Sequence, residues 1–447
     1  MEQSFELQMN EFAARALDAA QAAGISPAEA TVALSEAFSV RVRAQKLEDY
    51  KVSDRVQLTL RGRWQGRIGT ASTQAMDRES LALLIQGVKE SAELIEDDEQ
   101  DDILPPDAQY GEVCNHSDAI DTISAEDKIA LAMCIDERLC AADARISPDA
   151  TVVSTASEIF SIKNTLGLDL SHSSNMIYAY ASCLAKEGEA AATGFKLLWG
   201  YAMEDVSPFD VADGCVKDAV EKLGAGRLQS GARRVVIRNN AMADLLSTFC
   251  GVFSADNAQK GLSLLAGKEG TAIASPAVTL TDDPLLPWGM GSCPFDREGA
   301  ATMTKNVIDG GVLRTLLHNR KTAKKAGVAT TGNAAGSGRV APSNLYIQPG
   351  QASLDDLLAR MENGLLLTEV SGLHAGANPV SGDFSLLARG FEVVGGKIQR
   401  AVEQFTVAGN FFALLMDIEA VGSDLLFEGS PIGSPSVAVK KLNIAGE

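Results

Sequence analysis

Histidine and paired cysteine are scarce in this chain. The four histidines, His116, His172, His318 and His374, all lie more than five residues apart, so the chain has no helical motif with two nearby histidines. The seven cysteines form no CxxC pair, and such a scattered, odd set is typical of buried thiols in a reducing compartment. The sequence therefore argues against a zinc ribbon or a disulfide framework as the basis of the fold.

Positive charge is also scarce. The chain has 39 Lys and Arg against 59 Asp and Glu, a formal net charge of −20. Nucleic-acid binding usually requires a basic surface that displaces counterions, so direct contact with DNA is not expected. No apolar run approaches the roughly 20 residues needed to span a bilayer, and the acidic segment Met1–Glu6 lacks the pattern of a signal peptide. We therefore expect a cytoplasmic protein with no membrane segment.

The composition that is present is globular, and 447 residues are long enough for two or three domains. Helical and alternating apolar patterns predict one small α+β unit over residues 1–104 and a second over residues 105–228. An acidic run at 96–102 predicts a surface linker between them. Strands punctuated by glycine dominate residues 229–447. The predicted fold class is α+β, with two small N-terminal α+β units followed by a large, β-rich mixed C-terminal domain.

The stretch around which the C-terminal domain is organised is Leu365–Lys397. An apolar run predicts a buried strand, a loop with several glycines and Asn378-Pro379 follows, and strand character resumes at Phe384. Glycine lets the backbone approach another backbone or a ligand where a Cβ would collide. Gly395-Gly396 then predicts a two-residue hairpin turn. The loop is a candidate binding segment, and a purely structural connector is the alternative.

The run TEVSGLHAGANPVSGDFSLLARGF, from Thr368 to Phe391, resembles the C-terminal signature of the TldD/PmbA family, in particular its PmbA (TldE) branch. Three further runs resemble the same branch: Thr330–Ala334 (TTGNA), Pro342–Ile347 (PSNLYI) and Ser434–Val437 (SPSV). Their order and spacing match, and weaker similarity extends back to about Val32. The resemblance implies a subunit of a zinc metallopeptidase that acts on unfolded or extended peptides.

The zinc-bearing TldD branch, which this chain resembles less, carries an HExxxH motif on the helix that follows the strand corresponding to residues 234–238. Matching places the motif at Ser247, Thr248 and Val252, and no cysteine follows Cys293 to replace the ligand that the TldD branch supplies near its C-terminus. Serine, threonine and valine do not hold zinc. The resemblance therefore implies a non-catalytic subunit with no metal or other cofactor of its own, assembled with a zinc-bearing TldD-like partner in a heterodimer or a larger complex.

The role implied for this chain is to line the substrate cleft and hold the peptide. The family is also described as modulating DNA gyrase, and the charge of this chain makes an indirect effect the expectation. The candidate substrate-binding residues are Gly372, His374, Gly376, Asn378, Ser381 and Asp383.

Two alternatives remain open. One is a stand-alone metal-dependent hydrolase that uses two carboxylate clusters, Asp282 with Asp283 and Asp296 with Glu298. The other is a non-enzymatic, peptide-binding homodimer.

Overall fold

The computed structural model describes residues 2–95 and 102–446. Helices make up 27% of the chain and strands 40%, which confirms the predicted α+β class. The predicted acidic linker, apart from Asp102, lies outside the described residues. Among the described residues, no helix combines the length and the hydropathy that a membrane span requires.

The first half of the chain repeats one order of elements, a helix, three strands and a helix. Its elements are α1 (Glu2–Ala22), β1 (Ala28–Arg43), β2 (Lys46–Trp64), β3 (Arg67–Thr73), α2 (Arg78–Glu93), α3 (Asp118–Asp121), α4 (Ala125–Ala142), β4 (Ile146–Asn164), β5 (Asp169–Glu187), β6 (Ala190–Gly200), a 3-10 turn (Met203–Val206) and α5 (Pro208–Lys222).

The six strands form one antiparallel sheet, the N-terminal sheet, in the order β3-β2-β1-β4-β5-β6. The two predicted α+β units therefore share a single sheet, which is joined by the central pair β1 and β4. Apolar side chains alternate along β1: Val32, Val40 and Val42 are buried on one face of the sheet, where α1, α2, α4 and α5 pack. The opposite face of the sheet packs against the C-terminal domain, where Phe160 of β4 shares a small core with Phe295.

The second half of the chain is built mostly from short strands. Its elements are β7 (Gly231–Ile237), α6 (Asn239–Phe249), a 3-10 turn (Cys250–Phe253), α7 (Ala255–Gln259), β8 (Leu280–Asp282), β9 (Lys305–Asp309), β10 (Val312–Leu313), α8 (Arg320–Ala326), β11 (Leu345–Ile347), α9 (Leu354–Met361), β12 (Gly364–Ser371), α10 (Leu373–Gly376), β13 (Asp383–Val394), β14 (Lys397–Asn410), α11 (Phe411–Asp417), β15 (Ile418–Val421), β16 (Ile432–Gly433) and β17 (Val437–Ala445).

Five of these strands close into a barrel. They are hydrogen-bonded in the order β14-β13-β12-β7-β17, and β17 pairs again with β14, where Thr406 lies opposite Ala445. A second, small sheet has the order β10-β9-β8-β11-β16. Helix α6 buries Leu245, Leu246 and Phe249 in a core to which both the barrel and the small sheet contribute. That packing holds the exposed side of α6 in a fixed position.

One local prediction for this half is confirmed. Gly395 and Gly396 form the turn between β13 and β14. Their φ values are 59° and 75°, and a two-residue type I′ turn requires positive φ at both positions. Asn410 caps α11, and its side chain accepts hydrogen bonds from the backbone N–H groups of Phe412 and Ala413.

Candidate functional site

The three positions at which the resemblance places the zinc motif do not converge. Ser247 is exposed near the end of α6, and Thr248 Oγ1 donates a hydrogen bond of 2.8 Å to the carbonyl of Asp244 one turn earlier. The α-helix ends at Phe249. Val252 lies in the 3-10 turn beyond it, not on the helix itself, and is 1% exposed.

The chemistry of these side chains also argues against a zinc site at this position. Cys250, between the three positions, donates its Sγ hydrogen to the Ser247 carbonyl at 3.1 Å, and burial raises the pKa of its thiol. A protonated thiol, two hydroxyl groups and a buried isopropyl group supply none of the imidazole, thiolate or carboxylate ligands that zinc requires. The residues present do not fit a zinc ion here.

The exposed side of α6 is acidic. Asp244 lies on this side of the helix. Burial of the Asp244 carboxyl group, together with the negative charges of Glu428 and Glu369, raises its pKa to about 6. Glu369 is held by Lys222, whose Nζ lies 2.9 Å from its Oε2. The segment that carries Glu428 is fixed to β6, because the Trp199 indole N–H donates a 2.8 Å hydrogen bond to the carbonyl that precedes Glu428. The surface beside α6 therefore carries three carboxylates, of which Glu369 is paired with Lys222 and lies 4.0 Å from Arg389.

The candidate loop, residues 372–383, is hereafter the signature loop. It folds on itself: Asn378 Oδ1 accepts hydrogen bonds from the N–H groups of Val380 (3.0 Å) and Ser381 (3.2 Å). Ser381 Oγ donates to Asp383 Oδ2 at 2.9 Å, and the Asn410 amide donates to Asp383 Oδ1 at 2.9 Å. Asn378 thus closes a turn, which is the structural role that the sequence left open.

The six candidate residues of this loop lie at or near the surface. Gly372, His374, Asn378 and Asp383 are exposed, and Gly376 and Ser381 are half-buried. The loop lies close to the end of α6, because α10 packs against α6 and Phe249 stacks on Phe411 with ring centroids 4.7 Å apart. The structure therefore brings the signature loop and the positions at 247 and 248 to the same end of one helix.

A second candidate site was not predicted from the sequence. A cavity of about 310 Å³ lies between the N-terminal sheet and two loops of the small sheet, and we call it the sheet–loop cavity. Its lining includes Glu158 and Phe160 of β4, His172 and Ser174 of β5, residues 290–293 and 295–297 with Thr302, and Gly332–Ala335 with Ala341, Pro342, Ser343 and Pro431.

One side of this cavity is supported by a buried polar network. The Asp282 carboxylate is fully buried, and its Oδ2 accepts hydrogen bonds from Lys305 Nζ at 2.8 Å and Asn333 Nδ2 at 2.7 Å. Its Oδ1 accepts the backbone N–H of Ser343 at 2.7 Å. Asp283 Oδ1, in turn, accepts hydrogen bonds from Leu285 N and Thr304 Oγ1. These carboxylates are occupied by protein donors, which favours a structural role over metal binding.

The second carboxylate cluster has a similar arrangement. Asp296 accepts backbone N–H groups from Glu298 (2.9 Å), Ala300 and Ala334 (3.0 Å each). Glu298 accepts the backbone N–H of Arg320 at 3.0 Å, where α8 begins. Burial, together with the Asp296 charge, raises the pKa of Glu298 to about 7. Both side chains therefore cap turns and a helix end.

A further group of possible ligands lies on the middle segment. His116, Asp118 and Asp121 each bring one atom to within 4.8 Å of the others. His116 Nε2 lies 2.9 Å from Asp121 Oδ2, while the Asp118 side chain is fully exposed. Asp121 also accepts a hydrogen bond from the Asn175 amide at 2.7 Å. These contacts explain the group without an ion.

Comparisons with known proteins decide the family. The PmbA/TldA metallopeptidase C-terminal domain matches residues 230–446, and the central domain of the same family matches residues 118–226. The chain belongs to the PmbA/TldD metallopeptidase family. Its PmbA/TldD relatives include the metalloprotease PmbA homologue of Haemophilus influenzae, 25% identical over 99% of this chain and 97% of that protein. Metalloprotease PmbA of Escherichia coli O157:H7 is 26% identical over 94% and 92%.

Solved structures share the whole PmbA/TldD architecture. A Thermotoga maritima protein, described as a candidate modulator of a DNA gyrase, is 32% identical, covers 98% of this chain and all of its own, and has a TM-score of 0.92. TldE from Thermococcus kodakarensis, at 21% identity, shows the same fold with a TM-score of 0.88 over 98% and 100% of the two chains.

The sheet–loop cavity of this PmbA/TldD chain could not be predicted from its sequence. Two runs singled out by resemblance, Thr330–Ala334 and Pro342–Ile347, contribute to its lining. Glu158, His172 and Arg297 also line the cavity and were not among the candidate residues. Side chains at alternate positions of β4 and β5 share one face, but nothing in the sequence shows what covers that face.

Proposed function

We propose that this chain is the PmbA/TldE-type subunit of a zinc metallopeptidase, that it is non-catalytic, and that a TldD-like partner carries the zinc. The single observation that carries the proposal is the donor set on and after α6. Within a metallopeptidase family, the matched positions hold Ser247, Thr248 and Val252, and the side chain of Val252 points into the core. No metal ligand set can be assembled from these groups.

The substrate cleft of this subunit would run along the exposed side of α6. The signature loop lies at one end of the helix, and the Asp244, Glu369 and Glu428 carboxylates line its floor. Strand β6 is the last strand of its sheet and has no strand partner on its outer edge among the described residues. Helix α5 already satisfies part of this strand, because the Phe195 N–H donates to Asp218 and Lys222 donates to the Thr193 carbonyl, so an extended peptide would pair with the remaining backbone groups. Like-charge repulsion from the floor disfavours acidic peptide segments.

Metal analysis tests the assignment directly. The isolated chain, purified without added metal, should contain far less than one zinc per chain. The complex with a co-purified TldD-like partner should contain about one zinc per partner subunit. The Cys250→Ser variant should leave both values unchanged. One tightly held zinc per isolated chain would contradict the subunit assignment.

An activity measurement separates this proposal from its alternatives. This chain alone should not cleave unstructured peptides, whereas the chain mixed with its partner should. Light scattering of the mixture should show a species larger than either component. Metal-dependent hydrolysis by the chain alone would favour the stand-alone hydrolase. A self-associating chain that binds peptide without any partner would favour the homodimer.

A further inference from the structure

We propose that the sheet–loop cavity binds a free α-amino acid with an uncharged side chain, at a site separate from the surface beside α6. The volume, the charges and the uncharged lining of the cavity each restrict the ligand.

The volume restricts the ligand to a small molecule. About 310 Å³ lies at the lower end of the range for small-molecule pockets. Small residues contribute to the wall that faces β4 and β5, namely Gly332, Ala334, Ala335 and Ala341. Gly332 has a φ of +68°, and a Cβ at this position would meet the Ala301 carbonyl oxygen at 2.8 Å.

The charges restrict the ligand further. Arg297 and Glu158 both line the cavity, and Arg297 Nη2 lies 2.6 Å from Glu158 Oε2. Their side chains are 36% and 41% exposed, so the pair is reachable from solvent. Arg297 is held with its guanidinium 4.3 Å from the centroid of the Phe160 ring. An exposed ion pair contributes little stability, so its charges can be redirected to a ligand at small cost.

The closeness of these two charges selects an α-amino acid over a peptide. Arg297 binds a carboxylate well because its N–H groups form a planar fork, and Glu158 accepts hydrogen bonds from an ammonium group. Because the two side chains touch, the ligand must carry its own opposite charges side by side. In a free amino acid both groups are bonded to one Cα, whereas in a dipeptide they lie on Cα atoms about 3.8 Å apart.

The remaining lining suits an uncharged side chain. Phe160 and Phe295 contribute aromatic surface, with ring centroids 6.1 Å apart. Burial lowers the pKa of His172, and its Nε2 has no hydrogen-bond partner among the described residues. Burial raises the pKa of Cys293 to about 11, which keeps its thiol neutral. The carboxylate of Asp296 is occupied by backbone donors, so Arg297 and Glu158 are the charged side chains in this lining that remain open to a ligand.

An amino acid is also what peptide hydrolysis releases. The site would therefore let the complex respond to its product, and only this link rests on the proposed function. Binding itself requires neither zinc nor a partner, so it can be measured on the isolated chain. Failure of binding and failure of the subunit assignment are then separate results.

Isothermal titration of the full chain with L-leucine is the first test, with four analogues as probes. L-methionine should bind comparably. 4-Methylpentanoate lacks the ammonium group, isoamylamine lacks the carboxylate, and L-leucyl-L-leucine separates the two charges. Each of these three should bind at least tenfold more weakly than leucine. No heat from leucine or methionine at millimolar concentration, or tighter binding of the dipeptide, would overturn the proposal.

Variants locate the binding. Arg297→Gln and Glu158→Gln should each weaken leucine binding at least tenfold, and Ala335→Leu should abolish it by filling the cavity. Arg138→Gln is the matched control, because Arg138 lies outside the cavity but makes the same two kinds of contact. Its Nε lies 2.7 Å from Asp213 Oδ1, and its guanidinium lies 4.7 Å from the centroid of the Phe209 ring. It should bind as the native chain does. Unchanged binding by Arg297→Gln, in a variant that melts normally, would refute the site.

Discussion

The signature loop and the wall of the sheet–loop cavity are held in place by different hydrogen bonds. Each contains glycine and one asparagine, Gly376 and Asn378 in the loop and Gly332 and Asn333 in the wall. The loop satisfies its polar groups mainly with neighbours in sequence, as when Asn378 accepts from residues two and three positions later. In the cavity wall, Asn333 reaches 51 residues back to Asp282, and Ser343 reaches 61 residues back to the same carboxylate.

The difference between these two regions predicts which of them the fold depends on. An exposed turn that loses one hydrogen bond exchanges it for water, so the net cost is small. A buried charge that loses its partner has no such replacement. Substitutions in the cavity wall should therefore affect stability, and substitutions in the signature loop should affect function.

The largest effect is expected from Lys305→Met. Lys305 Nζ is the cation beside the fully buried Asp282 carboxylate, so the variant should lose about 3–5 kcal/mol of unfolding free energy in urea denaturation. Arg314→Met is the matched control, because it removes an ion pair with Asp309 that is about half exposed, and it should cost less than about 1 kcal/mol. Equal losses would mean that burial does not distinguish the two pairs.

Two glycines with left-handed backbones give the next comparison. Gly332→Ala in the cavity wall combines an unfavourable φ with a clash against backbone, and should cost roughly 2–4 kcal/mol. Gly372→Ala in the signature loop has φ +80° but open space for a Cβ, and should cost only about 1–2 kcal/mol. Chemical denaturation of both variants measures the difference. A loop variant that is the less stable of the two would contradict the comparison.

Stability should depend on pH with opposite signs at Glu298, next to Arg297 of the cavity lining, and at Asp383 of the signature loop. The folded pKa of Glu298, about 7, exceeds its ordinary value of 4.5, so the unfolded chain releases this proton first and stability falls as pH rises through this window. Glu298→Gln removes the effect. The variant should be more stable than the native chain by roughly 1–3 kcal/mol at pH 8, and this gain should vanish near pH 4.5.

Asp383 in the signature loop should show the reverse. Hydrogen bonds from Asn410 and Ser381 lower the pKa of its carboxyl group below the ordinary 3.8. Its contribution is present above that value and is lost as pH falls through the folded pKa. Asp383→Asn should therefore be slightly less stable than the native chain at neutral pH and equal to it in strong acid. Thermal melts across pH compare the two variants, and shifts of the same sign would contradict the contrast.

The smallest change in stability is expected from Asn378→Ala. Its side chain is exposed, so loss of its two hydrogen bonds should cost about 0.5–1 kcal/mol. If the loop faces substrate, peptide cleavage by the reconstituted complex should fall nonetheless. Asn363→Ala is the control, because Asn363 is also exposed and accepts a backbone N–H, that of Gly395. Equal activity of the two variants would leave the loop without a role in substrate binding.

Local sequence patterns were sufficient to predict those elements whose conformation depends on neighbouring residues. The apolar run that forms β12 and the Gly395-Gly396 turn each depend on a few consecutive residues. Their free energies are local, so their signals are visible in short windows of sequence.

Long-range features were not predictable in the same way. The shared N-terminal sheet requires β1 to pair with β4, where Val40 lies opposite Val153, and no motif specifies that partner. The approach of Arg297 to Glu158 across 139 residues is likewise set by how the two halves of the chain pack. Resemblance identified two of the runs that line the cavity, but not the opposite wall.

The closed barrel has a consequence for the order in which the protein forms during synthesis. All strands of the N-terminal sheet have been synthesised once β6 has left the ribosome. Strand β7 can pair only after both of its neighbours have been synthesised, because Val235 pairs with Leu365 and Ile237 pairs with Val437, 200 positions later. Pairings of such separation form slowly and leave apolar surface uncovered in the interval. The apolar side of α6 should thus be bound by chaperones on nascent chains, and a stalled chain that ends before β17 should present a finished N-terminal half beside an unfinished barrel.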